Sequence, residues 1–146
     1  MPTMRVKLLQ AIGIWGFAAV LAACASSGDM HESADSGPHI PPFSQIKAAP
    51  DSFKGQTLVL GGQVLAARRM KDGTRIEVLQ LPLNDSQQPT LDLMKSQGRF
   101  VAVQRDFLDP ATIPQGTFLT ITGELTGSMT LPLDETDYTY PVIDIK

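Results

Sequence analysis

Cysteine occurs once in the 146 residues, histidine twice and tryptophan once, and aromatic residues make up only 6% of the chain. Each scarcity excludes something. One cysteine, Cys24, cannot form an internal disulfide, so a folded domain here is held by packing alone. Both histidines, His31 and His39, fall in a stretch rich in Ser, Gly and Pro. A structural zinc site wants four fixed ligands, and these two have no third partner nearby. A serine or cysteine hydrolase needs a nucleophile beside a base, usually histidine, and no histidine follows residue 39. Positive charge is also short: Lys and Arg number 12 against 15 acids, a net charge of −3. Nucleic-acid binding rests on neutralising phosphates with Lys and Arg, which argues against that partner. Only one long apolar run exists, and it lies at the N-terminus.

That run has the layout of a secretory signal. Arg5 and Lys7 precede the apolar residues 8–20, and Leu21-Ala22-Ala23 places small residues ahead of Cys24. The apolar core is too short for a comfortable membrane span. An ordinary signal peptide and an uncleaved anchor are the plainer readings. The position of the single cysteine at the end of Leu-Ala-Ala-Cys resembles the bacterial lipobox, in which that thiol is acylated after cleavage. One acyl chain binds a membrane only marginally, but each buried methylene adds about 0.8 kcal/mol, so two or three chains hold permanently. Ala25 follows, where aspartate is the usual signal for inner-membrane retention, so the resemblance implies sorting to the outer membrane. Removing residues 1–23 takes away Arg5 and Lys7 and no acid, moving the net charge from −3 to −5. The expected organisation is a signal peptide over 1–23, an acylated Cys24 with a flexible linker over 24–50, and one domain over 51–146.

The linker expectation rests on Ser26, Ser27, Gly28, Ser33, Ser36, Gly37, Pro38, Pro41 and Pro42, with Asp29, Glu32 and Asp35 adding like charge. Residues 46–53 predict a short turn or helix leading into the domain, and from Thr57 the pattern turns to strands. Residues 57–66 put Leu58, Leu60, Val64 and Ala66 on one face around Gly61-Gly62, a pair that predicts a bulge or sharp bend. Arg68 to Gly73 predicts a hairpin tip with Asp72-Gly73 as its turn. Its cluster of Arg68, Arg69, Lys71 and Arg75 reads as a solvated tip, or as a contact for anionic lipid or glycan. A returning strand over 74–83 changes phase near Leu79, consistent with a bulge. A polar excursion over 84–98 includes a single helical turn around 91–96, and a third strand covers 99–106. Residues 117–126 alternate strictly, with Leu119, Ile121 and Leu125 opposite Thr120, Thr122 and Glu124. Residues 127–137 predict a long acidic loop, and 138–145 a last strand interrupted by Pro141.

Five strands with short turns predict an all-β fold, a small five-stranded partly open barrel of the OB type, with a two-sheet β-sandwich as the alternative. No enzymatic chemistry emerges. Asp134, Glu135 and Asp137 match no cation-loop spacing and read as an exposed acidic loop. Glu77, Asp106 and Glu124 read as outward strand carboxylates in preference to a glycosidase pair. No metal or cofactor is expected.

With the strands laid out, the chain resembles the Slp family of outer-membrane lipoproteins, also called starvation-inducible lipoproteins. The resemblance is carried by Gly55-Gln56, Gly61-Gly62-Gln63-Val64, Ile76-Glu77-Val78 and Leu81-Pro82-Leu83, then by Pro89 and Gly98-Arg99-Phe100. Phe107-Leu108-Asp109-Pro110 and Thr120-Ile121-Thr122-Gly123 complete it, so that it covers Cys24 and nearly all of residues 50–146. Members of that kind continue past the last strand into an aromatic-rich tail, whereas this sequence stops at Lys146. The resemblance implies a non-catalytic protein of the outer membrane with an envelope or stress role. Its anchor would be the lipid on Cys24, its domain would face the periplasm, and its partner would be an unidentified envelope protein or glycan. The second functional reading is a periplasmic module binding a glycan, peptide or lipid fragment on the strand face of Thr120, Thr122 and Glu124.

Overall fold

The computed structural model describes residues 40–146. Pro41 and Pro42 lead into helix α1, Phe43–Ala48, whose first turn closes on the Pro42 carbonyl. The three-residue spacing of Phe43 and Ile46 puts both on one face, and both are buried in the core. The helix ends because Pro50 follows Ala49, and a residue before proline is driven out of the helical region. A 3-10 turn, Pro50–Phe53, then delivers the chain to the first strand. Part of the stretch expected as linker therefore belongs to the domain, because Phe43 and Ile46 bury apolar surface that the Ser/Gly/Pro composition around them masks.

Five strands follow: β1 (Thr57–Met70), β2 (Gly73–Leu81), β3 (Arg99–Gln104), β4 (Phe118–Leu133) and β5 (Thr136–Ile145). They hydrogen-bond in the order β1-β2-β3-β5-β4 and back to β1, a closed ring of the OB type, which sets aside the two-sheet sandwich. All neighbours are antiparallel except β3 and β5, which run parallel and share only the pairs Val101–Val142, Ala102–Ile143 and Val103–Asp144. This seam is the shortest pairing of the ring. Stepping from partner to partner, Thr57 leads to Glu124, Asp144, Val103, Arg75 and finally Arg68, eleven positions further along β1. So large a stagger over five strands means steeply tilted strands and an interior small enough for side chains to fill.

The filling is apolar and mostly aliphatic. Leu58, Leu60 and Val64 from β1, Ile76 and Val78 from β2, Phe100 and Ala102 from β3, Ile121 and Leu125 from β4, and Ile143 from β5 form one buried cluster with Phe43 and Ile46. Helix α1 lies at the end where β3 and β5 begin: Ser44 N donates to Gln97 Oε1 at 2.9 Å, and Lys47 Nζ sits 5.0 Å from the Tyr138 ring centre. The β3–β4 loop lies at the end where β2 begins, with Leu108 and Ile113 packed on the core and the buried Thr74 hydroxyl donating to Leu108 O at 2.7 Å.

Four strand expectations change. Gly61 and Gly62 are regularly paired on both sides and form no bulge. They are glycines because a Cβ on Gly61 would collide with Leu83 and one on Gly62 with Val78 and the Leu79 carbonyl. The bulge is at Leu65, where the β1–β2 register slips between Val64 and Ala66. Residues read as a broad hairpin tip continue both strands, leaving a two-residue turn of Lys71-Asp72 between the paired Met70 and Gly73. The phase change read near Leu79 is no bulge in β2, whose pairing with β3 is continuous from Thr74 to Leu79.

The largest change concerns residues 127–137, expected as a loop. They are the outer half of a hairpin in which β4 and β5 pair from Gly127–Val142 to Leu133–Thr136 around Asp134-Glu135. A register slip between Leu125 and Gly127 exchanges the faces, so that Met129 and Leu131 stand opposite Tyr140 and Tyr138. Tyr140 is fully buried and meets Tyr138 edge-on at 4.7 Å, while Thr130 and Thr139 share a hydroxyl bond on the other face.

Candidate functional site

The lipobox residues Leu21, Ala22, Ala23 and Cys24, and the sorting residue Ala25, lie outside the described residues, as do His31 and His39. The strand face expected to bind a ligand can be described. Thr120, Thr122 and Glu124 alternate along the outer side of β4, opposite Gly61, Val59 and Thr57 of β1. Thr120 Oγ1 donates to Gln87 O at 2.7 Å, which straps the β2–β3 loop across this face. Glu124 holds Lys146 at 3.0 Å, and Lys146 Nζ also reaches Thr57 Oγ1 at 3.5 Å. Two of the three side chains are thus engaged within the fold, and Thr122 is exposed.

A more enclosed feature lies on the outer side of β2 and β3. Met70, Asp72 and Gly73 from the β1–β2 turn, Arg75 from β2, Val103 from β3 and Met129 from the β4–β5 hairpin line a cleft of about 200 Å³. Its residues come together through the ring stagger: Arg75 is partnered by Val103, and the face exchange in β4 turns Met129 toward the same side. Asp144 lies next in that row and holds Arg105 at 2.8 Å. The hydrogen bond and the attraction of Asp144 hold the Arg105 guanidinium above its already high ordinary pKa. On the opposite face of the turn, the Arg69 guanidinium lies 5.1 Å from the exposed Phe107 ring and donates to Thr74 Oγ1 at 3.3 Å.

Sequence reading picked out the basic cluster Arg68, Arg69, Lys71 and Arg75, of which Arg75 lines this cleft, but not Val103 and Met129. Nothing local marks those two, because their role depends on strand pairing and on the register slip in β4. The acidic residues Asp134 and Glu135 form the tight turn of the β4–β5 hairpin. Among the described residues no cluster of three metal-ligating side chains occurs, and no helix is long and apolar enough to cross a membrane.

The comparison with known proteins decides the lineage. The family described as "Outer membrane lipoprotein Slp family" matches residues 21–146, from the first residue of Leu-Ala-Ala-Cys to Lys146. The chain belongs to the Slp family. It is 30% identical over 129 residues to the "Uncharacterized lipoprotein YeaY" of Escherichia coli strain K12, covering 88% of this chain and 65% of the relative. An "Uncharacterized protein" of Haemophilus influenzae is 34% identical over 89 residues, covering 60% of this chain and 48% of that one. The chain therefore spans between about half and two thirds of the length of these relatives. No solved structure matches it.

Within this Slp protein, several motif residues hold the fold. Gly61-Gly62 permit the close approach of Leu83 and Leu79, and Phe100 fills the core. Asp109 accepts from Ala111 N at 2.9 Å, capping the 3-10 turn that Pro110 begins.

Proposed function

We propose that this Slp protein is a non-catalytic outer-membrane lipoprotein, acylated on Cys24, whose barrel stands in the periplasm and serves an envelope structural or stress-response role. The observation that supports this most is the extent of the family match, which begins at Leu21 and so takes in the acylation motif together with the barrel. Charge, apolar run and cysteine in secretory order support it independently. Residues 25–39 separate the acyl site from the described domain, and fifteen residues reach at most about 50 Å at full stretch. The barrel is therefore confined to a thin layer beside the membrane, where a weak contact with lipid or with another envelope component gains from a high effective concentration.

Metabolic labelling with an alkynyl palmitate analogue tests the anchor. The parent chain incorporates label and sediments with outer membranes, and Cys24→Ser incorporates none and leaves the membrane fraction. Label or membrane retention that survives the substitution contradicts the proposal.

A further inference from the structure

We infer that the cleft between the β1–β2 turn and the β4–β5 hairpin binds a phosphate-bearing ligand, with Arg75 and Arg68 gripping the phosphate and Met70, Val103 and Met129 receiving an adjoining apolar group.

Three observations lead there. First, Arg68 and Arg75 are direct cross-strand partners, so both side chains leave the same face of the sheet from neighbouring positions. Like charges directly opposite one another destabilise a hairpin. Neither arginine is relieved: among the described residues the ion pairs are Arg105–Asp144 and Lys146–Glu124 only. Asp72 lines the cleft and Glu77 follows Arg75 on the same strand face, yet neither comes within ion-pair distance. Asp144 lies beyond Val103 in the same row and is already taken by Arg105.

Second, Arg75 Nε is shut off from solvent and has no hydrogen-bond acceptor, alone among buried side-chain polar atoms of the described residues. A buried donor without an acceptor costs free energy, so the fold itself leaves this guanidinium under-satisfied. Arg75 as a whole is only half-buried and lines the cleft, so a ligand there meets its outer N–H groups rather than Nε.

Third, the place fits. In OB-type barrels the face of strands 2 and 3 between the first and last hairpin loops holds oligonucleotides and oligosaccharides, and the cleft is built from those parts. Two guanidinium groups side by side suit a phosphate, which has oxygens enough for both forks, whereas a carboxylate is satisfied by one. The volume of about 200 Å³ matches a small phosphate ester or a lipid headgroup. Two methionines, one of them half exposed at Met70, give that apolar wall an adaptable shape.

Calorimetric titration of the acylated full chain, held in neutral phosphatidylcholine nanodiscs, tests this with phenyl phosphate, inorganic phosphate and benzoate. Phenyl phosphate is expected to bind about tenfold tighter than either other probe, since only it supplies both phosphate oxygens and an apolar group. Arg75→Gln is expected to weaken phenyl phosphate by about tenfold or more. Arg68→Gln, at an exposed position that folding tolerates, raises the unfolding temperature without ligand and shrinks the further rise that phenyl phosphate gives the parent chain. A chain in which both substitutions leave binding unchanged, or one that takes benzoate or inorganic phosphate as well as phenyl phosphate, overturns the inference. Repeating the titration with phosphatidic acid in the nanodiscs separates the sources. Competition assigns the site to a lipid headgroup, and its absence to a soluble ester.

Discussion

Gly98 stands where helix α1, the start of β3 and the β4–β5 hairpin meet. Its φ of 142° lies outside the usual range of L side chains, and a Cβ there would come to 2.7 Å of Tyr138 Oη and 3.0 Å of Lys47 Cδ. Tyr138 Oη is not free to move away, because it accepts from Arg99 N at 3.0 Å. Around it the Gln80 side-chain oxygen accepts from Gln97 N at 3.0 Å, and Gln80 N donates to Gly98 O at 2.8 Å. Gly98→Ala is therefore expected to cost about 1–3 kcal/mol through backbone strain and the displaced tyrosine. Urea unfolding measures this; a midpoint equal to the parent's would show that the loop absorbs the methyl group without strain.

At the scale of elements, helix α1 is the least obvious contributor. It has only six residues and no side-chain cap, so it gains nothing from intrinsic helicity and exists because Phe43 and Ile46 are drawn into the barrel end. The Phe43 and Phe100 rings lie 6.0 Å apart in a tilted pair, which fixes the helix over the core. Ile46→Ala is expected to destabilise the domain by about 2–5 kcal/mol, read again by urea unfolding. A loss below 1 kcal/mol would mean the helix is an ornament on an independently stable barrel.

The elements also show what a sequence reveals. The alternation of Leu119, Ile121 and Leu125 against Thr120, Thr122 and Glu124 marked the inner half of β4 correctly, since a half-buried strand writes its faces into the chain. The outer half was hidden for a local reason: the slip after Leu125 resets the alternation, and Gly127, Pro132 and Asp134 have the composition of a loop. Gly61-Gly62 misled in the opposite direction. Paired glycines signal a bend only when the neighbours are unknown, and here the need is room for Leu83 and Val78. The cleft was legible only in its charges, because Met70, Arg75, Val103 and Met129 become neighbours through pairings between four strands.

Residues 40–146 form a small barrel with no disulfide, two surface ion pairs and a single apolar core. Surface ion pairs contribute little, so its stability rests on that core and on the closed ring. Such a body suits a tethered role, because closing the ring pairs strand edges to which other chains would otherwise add. The family match from Leu21 to Lys146 joins this body to the motif that would fasten it. The proposed anchor therefore governs how every other surface is encountered, including the basic cleft. Mass spectrometry of the N-terminal peptide of protein extracted from outer membranes tests this most directly. The account predicts a mature chain that begins at Cys24 and carries a diacylglyceryl thioether with a further acyl group on its amine; a chain beginning at any other residue, or an unmodified Cys24, would contradict it.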